Sequence, residues 1–118
     1  DITKGNFQLY TLAWVGIRDP DIYYYTMHSG SIPPAGANRG RYRNQRLDAL
    51  LEQGRSARTL AARRAIYHEV QRLVAAELPY VHLWHTTNVA VMRREIEGFR
   101  LYPAGDLLSL KEVTISPG

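Results

Sequence analysis

Residues 59–79, TLAARRAIYHEVQRLVAAELP, carry the strongest structural signal in the chain. Apolar side chains such as Val70 and Val74 recur there at three- and four-residue spacing, which places them on one face of an α-helix. Thr59 can cap the first turn, and the closing proline cannot continue a helix. The segment therefore predicts an amphipathic helix over residues 60–78.

Residues 7–15 have apolar side chains at both odd and even positions, which favours a strand buried on both faces. After this strand, the sequence predicts a short helix from Asp19 to about residue 27 with Asp19 as N-cap, a turn-rich loop over 28–43 and a helix over 45–54 capped by Asn44. The helix over 60–78 comes next, followed by a hairpin of strands over 80–86 and 89–94 and a short extended piece over 99–102. A turn over 103–106 and a mixed segment over 107–115 follow. The predicted fold class is therefore α+β.

The chain has 118 residues, 45% of them hydrophobic and 22% charged, which suits one globular domain and excludes a disordered or low-complexity chain. Its apolar stretches are shorter than the roughly 20 residues that a membrane span requires. Because there is no cysteine, disulfides, cysteine-based metal centres and cysteine nucleophiles are excluded.

Histidines and carboxylates do not form a recognisable catalytic or metal-binding motif in the sequence. His82 and His85 lie three positions apart, and on a strand such residues face opposite sides. We interpret them as ordinary structural histidines. No nucleophile elbow, phosphate loop or paired-carboxylate arrangement occurs. The sequence therefore predicts a protein that is not an enzyme and has neither a metal ion nor a cofactor.

A cluster of basic residues offers an alternative function. The net charge is only +4, but four arginines fall within residues 39–46, with Tyr42 among them. Cationic side chains around an aromatic ring are typical of single-stranded nucleic-acid binding. The alternative hypothesis is thus a small basic nucleic-acid-binding domain that uses Arg39, Arg41, Tyr42, Arg43 and Arg46. No second basic element reinforces the cluster, so we interpret these arginines as solvated and expect no nucleic-acid partner.

The order of several short motifs is more specific than any one of them. In sequence they are FQLYTLAW at 7–14, DPD at 19–21, Asn38-x-x-x-Tyr42-x-Asn44, Asp48-x-Leu50-Leu51, Arg63-x-x-x-Tyr67-x-x-x-Gln71, LPYV at 78–81 and Gly98-Phe99. This series resembles the carboxyl-terminal stretch of the family 5 extracellular solute-binding proteins, the peptide and nickel receptors of ABC importers. The resemblance covers essentially the whole chain.

The resemblance implies a fragment of a two-lobed, type II-like periplasmic-binding-protein fold. Residues 1–95 would form the later half of the carboxyl-terminal, ligand-closing lobe, and residues 96–118 would return across the hinge to the amino-terminal lobe. The implied function is capture of a solute, most simply a peptide, for delivery to the membrane permease. The implied location is the periplasm or the outside of the cell, with a lipid anchor as one option. As a fragment, the chain is expected to self-associate through unpartnered apolar surface.

The resemblance also implies a binding segment, because peptide-binding relatives pair the ligand backbone with the strand end around the tryptophan. The implied ligand-binding residues are Ala13, Trp14, Val15, Gly16, Ile17 and Asp19. Many such proteins carry an aspartate three residues after the tryptophan, which pairs with the ligand's α-ammonium group. Here that position is Ile17, and Asp19 can replace the aspartate only if the loop is rebuilt. Blocked or cyclic peptides, or another solute, therefore remain open.

Overall fold

The computed structural model describes residues 1–116 of the chain. Its regular elements are α1 (Ile22–Met27), a 3-10 turn (Ser29–Ser31), α2 (Gln45–Ser56), α3 (Leu60–Glu77), β1 (Ile96–Glu97), a second 3-10 turn (Leu108–Glu112) and β2 (Thr114–Ile115). They divide between two compact units. The helical unit contains residues 1–12 and 19–82, and the carboxyl-terminal unit contains residues 13–18 and the chain from Leu83 onward.

The two long helices begin where the sequence predicts. The Asn44 side chain accepts a hydrogen bond from the backbone N–H of Leu47 at the start of α2. Thr59 likewise accepts from Ala62 at the start of α3. Each cap satisfies a backbone N–H that has no partner within its own helix, which stabilises a helix by about 1 kcal/mol. Both predicted helices and both predicted caps are confirmed.

The core of the helical unit lies where α1, α2 and α3 pack together. Its buried residues are Met27, Leu47, Leu51, Tyr67, Val70 and Val74. Leu47, Leu51 and Val70 have no exposed surface, and burying a side chain of this kind contributes about 1.5–3 kcal/mol. The same spacing that predicted the third helix therefore supplies its contact face.

The first helix begins later than expected. We predicted Asp19 as its N-cap, but α1 begins at Ile22 with Asp21 as the flanking residue. Asp19 instead accepts a hydrogen bond from the backbone N–H of Asp21 at 2.8 Å, which closes a local turn before the helix. Its other contacts tie it to α3.

The predicted strand over residues 7–15 and the predicted hairpin over 80–94 are wrong. Neither segment forms a strand, and both are exposed: Leu9 is 89% and Val91 95% accessible. An extended segment becomes a strand only when a neighbour pairs with its backbone groups, and no such ladder forms for these segments within residues 1–116. Their composition is that of strands, but the part of the chain that the structure describes gives them no pairing partner.

In the carboxyl-terminal unit, β1 and β2 pair antiparallel, with Ile96 opposite Ile115 and Glu97 opposite Thr114. The mixed segment over residues 107–115 therefore ends in a short strand. Gly98 follows β1 with φ +81°, and a Cβ atom there would lie 2.2 Å from the Glu112 carbonyl oxygen. Only glycine fits this close backbone approach. The described residues thus form an α+β chain with a minimal sheet.

Candidate functional site

Residues 13–17, the centre of the predicted binding segment, lie on the surface of the carboxyl-terminal unit. All five are exposed, Val15 to 77% and Trp14 to 42%. No hydrogen bond joins Ala13 or Val15 to any other residue between 1 and 116. Backbone groups of this kind are available to pair with an extended ligand.

One side of this segment is already occupied by residues 102–106, which we call the backing segment. The backbone N–H of Gly16 donates to the Ala104 carbonyl at 2.9 Å. Two residues further along both segments, the Arg18 guanidinium lies 2.7 Å from the Asp106 carboxylate. These two contacts hold residues 16 and 18 against the backing segment.

The backing segment contains a turn that is stabilised by an internal hydrogen bond and by hydrogen bonds from Asn88. Gly105 donates its N–H to the Tyr102 carbonyl at 2.9 Å, and its φ of +71° suits glycine at the end of such a turn. Asn88 donates from its side-chain amide to the carbonyls of Tyr102 and Pro103, at 3.3 and 3.2 Å. The turn predicted over residues 103–106 is therefore present.

Asp19 belongs to the helical unit, not to the unit that carries residues 13–17. Its carboxylate accepts two hydrogen bonds from Arg63 on α3, at 2.8 and 2.6 Å. This bidentate pair, together with the N–H of Asp21, lowers the pKa of Asp19 from 3.8 to about 2. Its negative charge is thus already matched by a cation of the same unit.

A second ion pair lies beside the first at the base of α1. Arg55 of α2 lies 3.1 Å from Asp21, and its guanidinium stacks 4.0 Å from the ring centre of Tyr24. With Asp19 and Arg63, these charged side chains line an open surface depression. Both carboxylates have a neighbouring arginine, so the depression is a balanced ionic cluster that joins three helices.

His28 has carboxylate neighbours that no motif in the sequence indicates. The folded chain places its Nε2 atom 3.4 Å from Glu52 and 3.9 Å from Asp48, both one or two turns into α2. Its Nδ1 atom accepts the N–H of Gly30 at 2.9 Å. Within residues 1–116, no group of three or more histidines and carboxylates could hold a metal ion.

The basic cluster at residues 39–46 has structural contacts. Tyr42 packs against the core, and its hydroxyl donates to Glu77 at the end of α3. Burial, followed by this hydrogen bond, raises the pKa of Tyr42 to about 12. Arg41 donates to the Lys4 carbonyl at 3.2 Å. The aromatic ring that the nucleic-acid hypothesis needs for stacking is therefore half-buried, and that hypothesis stays a prediction without structural support.

Comparison with curated proteins gives the family. The chain is 30% identical over 103 residues to a probable di/tripeptide-binding protein 5 of Pseudomonas aeruginosa, covering 86% of this chain. It is also 25% identical over 107 residues to the oligopeptide-binding protein AppA of Bacillus subtilis, covering 91% of this chain. The chain is a relative of the family 5 solute-binding proteins.

A further relative is the dipeptide-binding protein of Escherichia coli, which is 24% identical over 102 residues. The chain spans about a fifth of the length of these relatives, from 19% to 20%. No family model matches the chain. No solved structure matches it. None of the helices within residues 1–116 has both the length and the apolar character to cross a membrane.

Proposed function

We propose that the chain is part of a peptide-binding receptor of an ABC importer, located in the periplasm or on the outer face of the cell membrane. The observation that carries the proposal is the similarity to peptide-binding proteins over most of this chain. The relatives are named as binding proteins and not as enzymes. The receptor would capture a peptide and deliver it to the membrane permease.

The two-lobed architecture is part of this proposal. Residues 1–95 would belong to the ligand-closing lobe and residues 96–118 to the segment that returns across the hinge. The exposed apolar side chains support it, because Leu9, Val15, Val89 and Val91 are each at least 77% accessible. Apolar segments of this length are normally covered by a partner. The partner in the receptor would be further strands of the same protein.

The peptide would pair with the backbone of residues 13–17. Ala13 and Val15 have unpaired backbone groups, and main-chain pairing gives affinity without selecting side chains. Ile17 carries no charge, and Asp19 is held by Arg63. Using Asp19 to bind an ammonium group would require breaking a bidentate ion pair. Peptides with a blocked amino terminus, and cyclic peptides, therefore fit this segment at least as well as free ones.

A proline substitution tests the backbone contact in the receptor that contains this chain. Val15→Pro removes a backbone N–H, whereas Val15→Ala shortens the exposed side chain and keeps the N–H. Calorimetric titration with mixed di- to pentapeptides should show tenfold weaker binding for Val15→Pro and unchanged binding for Val15→Ala. Equal affinities for both variants would contradict docking at Val15, and no binding by the wild-type receptor would refute the proposed function.

The isolated 118-residue chain should self-associate through its exposed apolar segments. Sedimentation velocity at rising concentration should show species larger than the monomer. A strictly monomeric chain at high concentration would contradict this expectation.

A further inference from the structure

The structure points to three side chains, Arg18, Asn88 and Asp106, as positioning residues that fix the segment 13–17 for peptide docking. This inference rests on the proposed function, because it concerns the same binding segment. None of the three has to touch the peptide. They act on the backing segment, residues 102–106, and on its contact with the docking backbone.

Residues 13–17, which we call the docking segment, need such support because no strand among residues 1–116 pairs with them. A flexible segment must lose conformational entropy when it binds a peptide, and this loss weakens binding. The backbone bond from Gly16 to Ala104 supplies one anchor point. Gly16 has φ +79°, a left-handed conformation that turns the chain directly after the unpaired residues. A single hydrogen bond at a glycine leaves this turn weakly restrained.

The ion pair between Arg18 and Asp106 adds a second anchor on the far side of Gly16. The Asp106 side chain is only 16% accessible, so water screens the pair less than it screens a fully exposed one. The same carboxylate accepts the backbone N–H of Leu108 at 3.1 Å, which holds its position at the start of the 3-10 turn. Arg18 therefore binds to a carboxylate that is itself fixed.

Asn88 fixes the opposite end of the backing segment. Its amide group donates to two successive carbonyls, those of Tyr102 and Pro103. Near the same place, a Cβ atom at Gly105 would lie 3.5 Å from both the Val15 side chain and the Asn88 side chain. The Val15 and Asn88 side chains therefore both lie beside Gly105 in the turn, so a displaced turn would change the surroundings of Val15.

The first test compares two carboxylates of the same unit in the full receptor. Asp106→Asn removes the charge that Arg18 needs but keeps an oxygen to accept the Leu108 N–H. Glu112→Gln is the matched control, because Glu112 pairs with Arg100 elsewhere in the unit. Hydrogen exchange of the Gly16 amide should accelerate about three- to fivefold in Asp106→Asn and stay unchanged in Glu112→Gln. Unchanged exchange in Asp106→Asn would overturn the inference.

The second test separates positioning from general stability. Arg18→Gln and Asn88→Ala should each weaken peptide affinity about three- to fivefold, while Arg18→Lys restores the wild-type value because it keeps the positive charge. The helical circular dichroism signal should stay constant in all variants, since α1, α2 and α3 lie in the other unit. Affinities equal to wild type in Arg18→Gln and Asn88→Ala would overturn the inference.

Failure of the proposed function gives a different result from failure of this inference. If the wild-type receptor binds no peptide, the proposed function is refuted. The Gly16 exchange rate then still decides whether Asp106 holds the segment, because that measurement needs no ligand.

Discussion

Replacing Asn38 with alanine should strongly destabilise the helical unit, although Asn38 lies in a loop. Asn38 has no exposed surface. Its amide group donates to the carbonyls of Met27, His28 and Tyr42, at 3.2, 3.1 and 2.8 Å. Its side-chain oxygen accepts the backbone N–H of Tyr42 at 3.0 Å. One side chain therefore joins the end of α1 to the segment that leads into α2.

The size of the expected loss of stability follows from the backbone groups that lose a hydrogen-bond partner in Asn38→Ala. Asn38→Ala leaves the buried Met27 carbonyl without this donor and removes the Asn38 partners of the Tyr42 carbonyl and N–H, and each such group costs about 1–3 kcal/mol. The His28 carbonyl keeps the Ser31 N–H as a donor, so it adds little to the loss. The losses at Met27 and Tyr42 together give a decrease in the free energy of unfolding of about 3 kcal/mol. With a urea slope near 1.2 kcal/mol per molar, the midpoint should fall by about 2.5 M.

The assay is urea unfolding followed by circular dichroism at 222 nm, which reports on the helices. Asn6→Ala is the matched control, because Asn6 is exposed, and it should change stability by less than about 0.5 kcal/mol. Asn38→Asp keeps an acceptor for Tyr42 but turns a negative charge toward three carbonyl oxygens, so it should be at least as unstable as Asn38→Ala at pH 7. A loss below about 1 kcal/mol in Asn38→Ala would refute the reasoning.

Three further predictions concern other parts of the structure. The pKa of Asp19 lies near 2, below its ordinary 3.8, so its pair with Arg63 stabilises the fold above pH 3.8, and this contribution is lost as the pH falls toward 2. In urea titrations, the difference in unfolding free energy between wild type and Asp19→Asn should be less than about 1 kcal/mol, because the carboxylate is half exposed, and it should vanish over that pH interval. A difference that stays constant with pH would contradict this expectation. Leu51→Ala should lower the free energy of unfolding by about 2–5 kcal/mol in the same assay, because Leu51 is fully buried. Leu60→Ala is the control: Leu60 is 81% exposed, so its replacement should leave the free energy of unfolding almost unchanged. Similar losses in the two variants would argue against the described core. Gly98→Ala should accelerate amide exchange across β1 and β2 with no change in helical signal, and normal exchange there would contradict the close backbone approach.

The sequence predicted the helical part of the fold well because its signals are local. Caps act over three residues, and the apolar face of a helix repeats within one turn, so Asn44 and Thr59 could be assigned without knowing any neighbour. Strands are different, since pairing depends on distant residues. Residues 7–15 have the composition of a buried strand, yet composition cannot supply the partner that a ladder requires.

The sequence could propose a binding segment, whose role stays a prediction, but not the contacts around it. Residues 13–17 were singled out through the resemblance, and they do lie exposed with unpaired backbone at Ala13 and Val15. The pairing of Arg18 with Asp106 could not be read from sequence, because the two residues are far apart along the chain and neither belongs to a motif. The same holds for His28 and its neighbour Glu52, which only the packing of α2 brings together.

The residues that carried the resemblance mostly have structural roles in the folded chain. They therefore indicate the family of the chain but not the solute. Asn38 joins α1 to the loop, Asn44 caps α2, and Tyr42 and Asn44 both donate to Glu77 at the end of α3. Such residues preserve the scaffold of the helical unit whatever the proposed receptor binds. Residues 13–17 contribute nothing to the buried core of that scaffold. Their side chains can therefore change while the helical unit stays the same, and under the proposed function this exposed segment is where receptors for different solutes would differ.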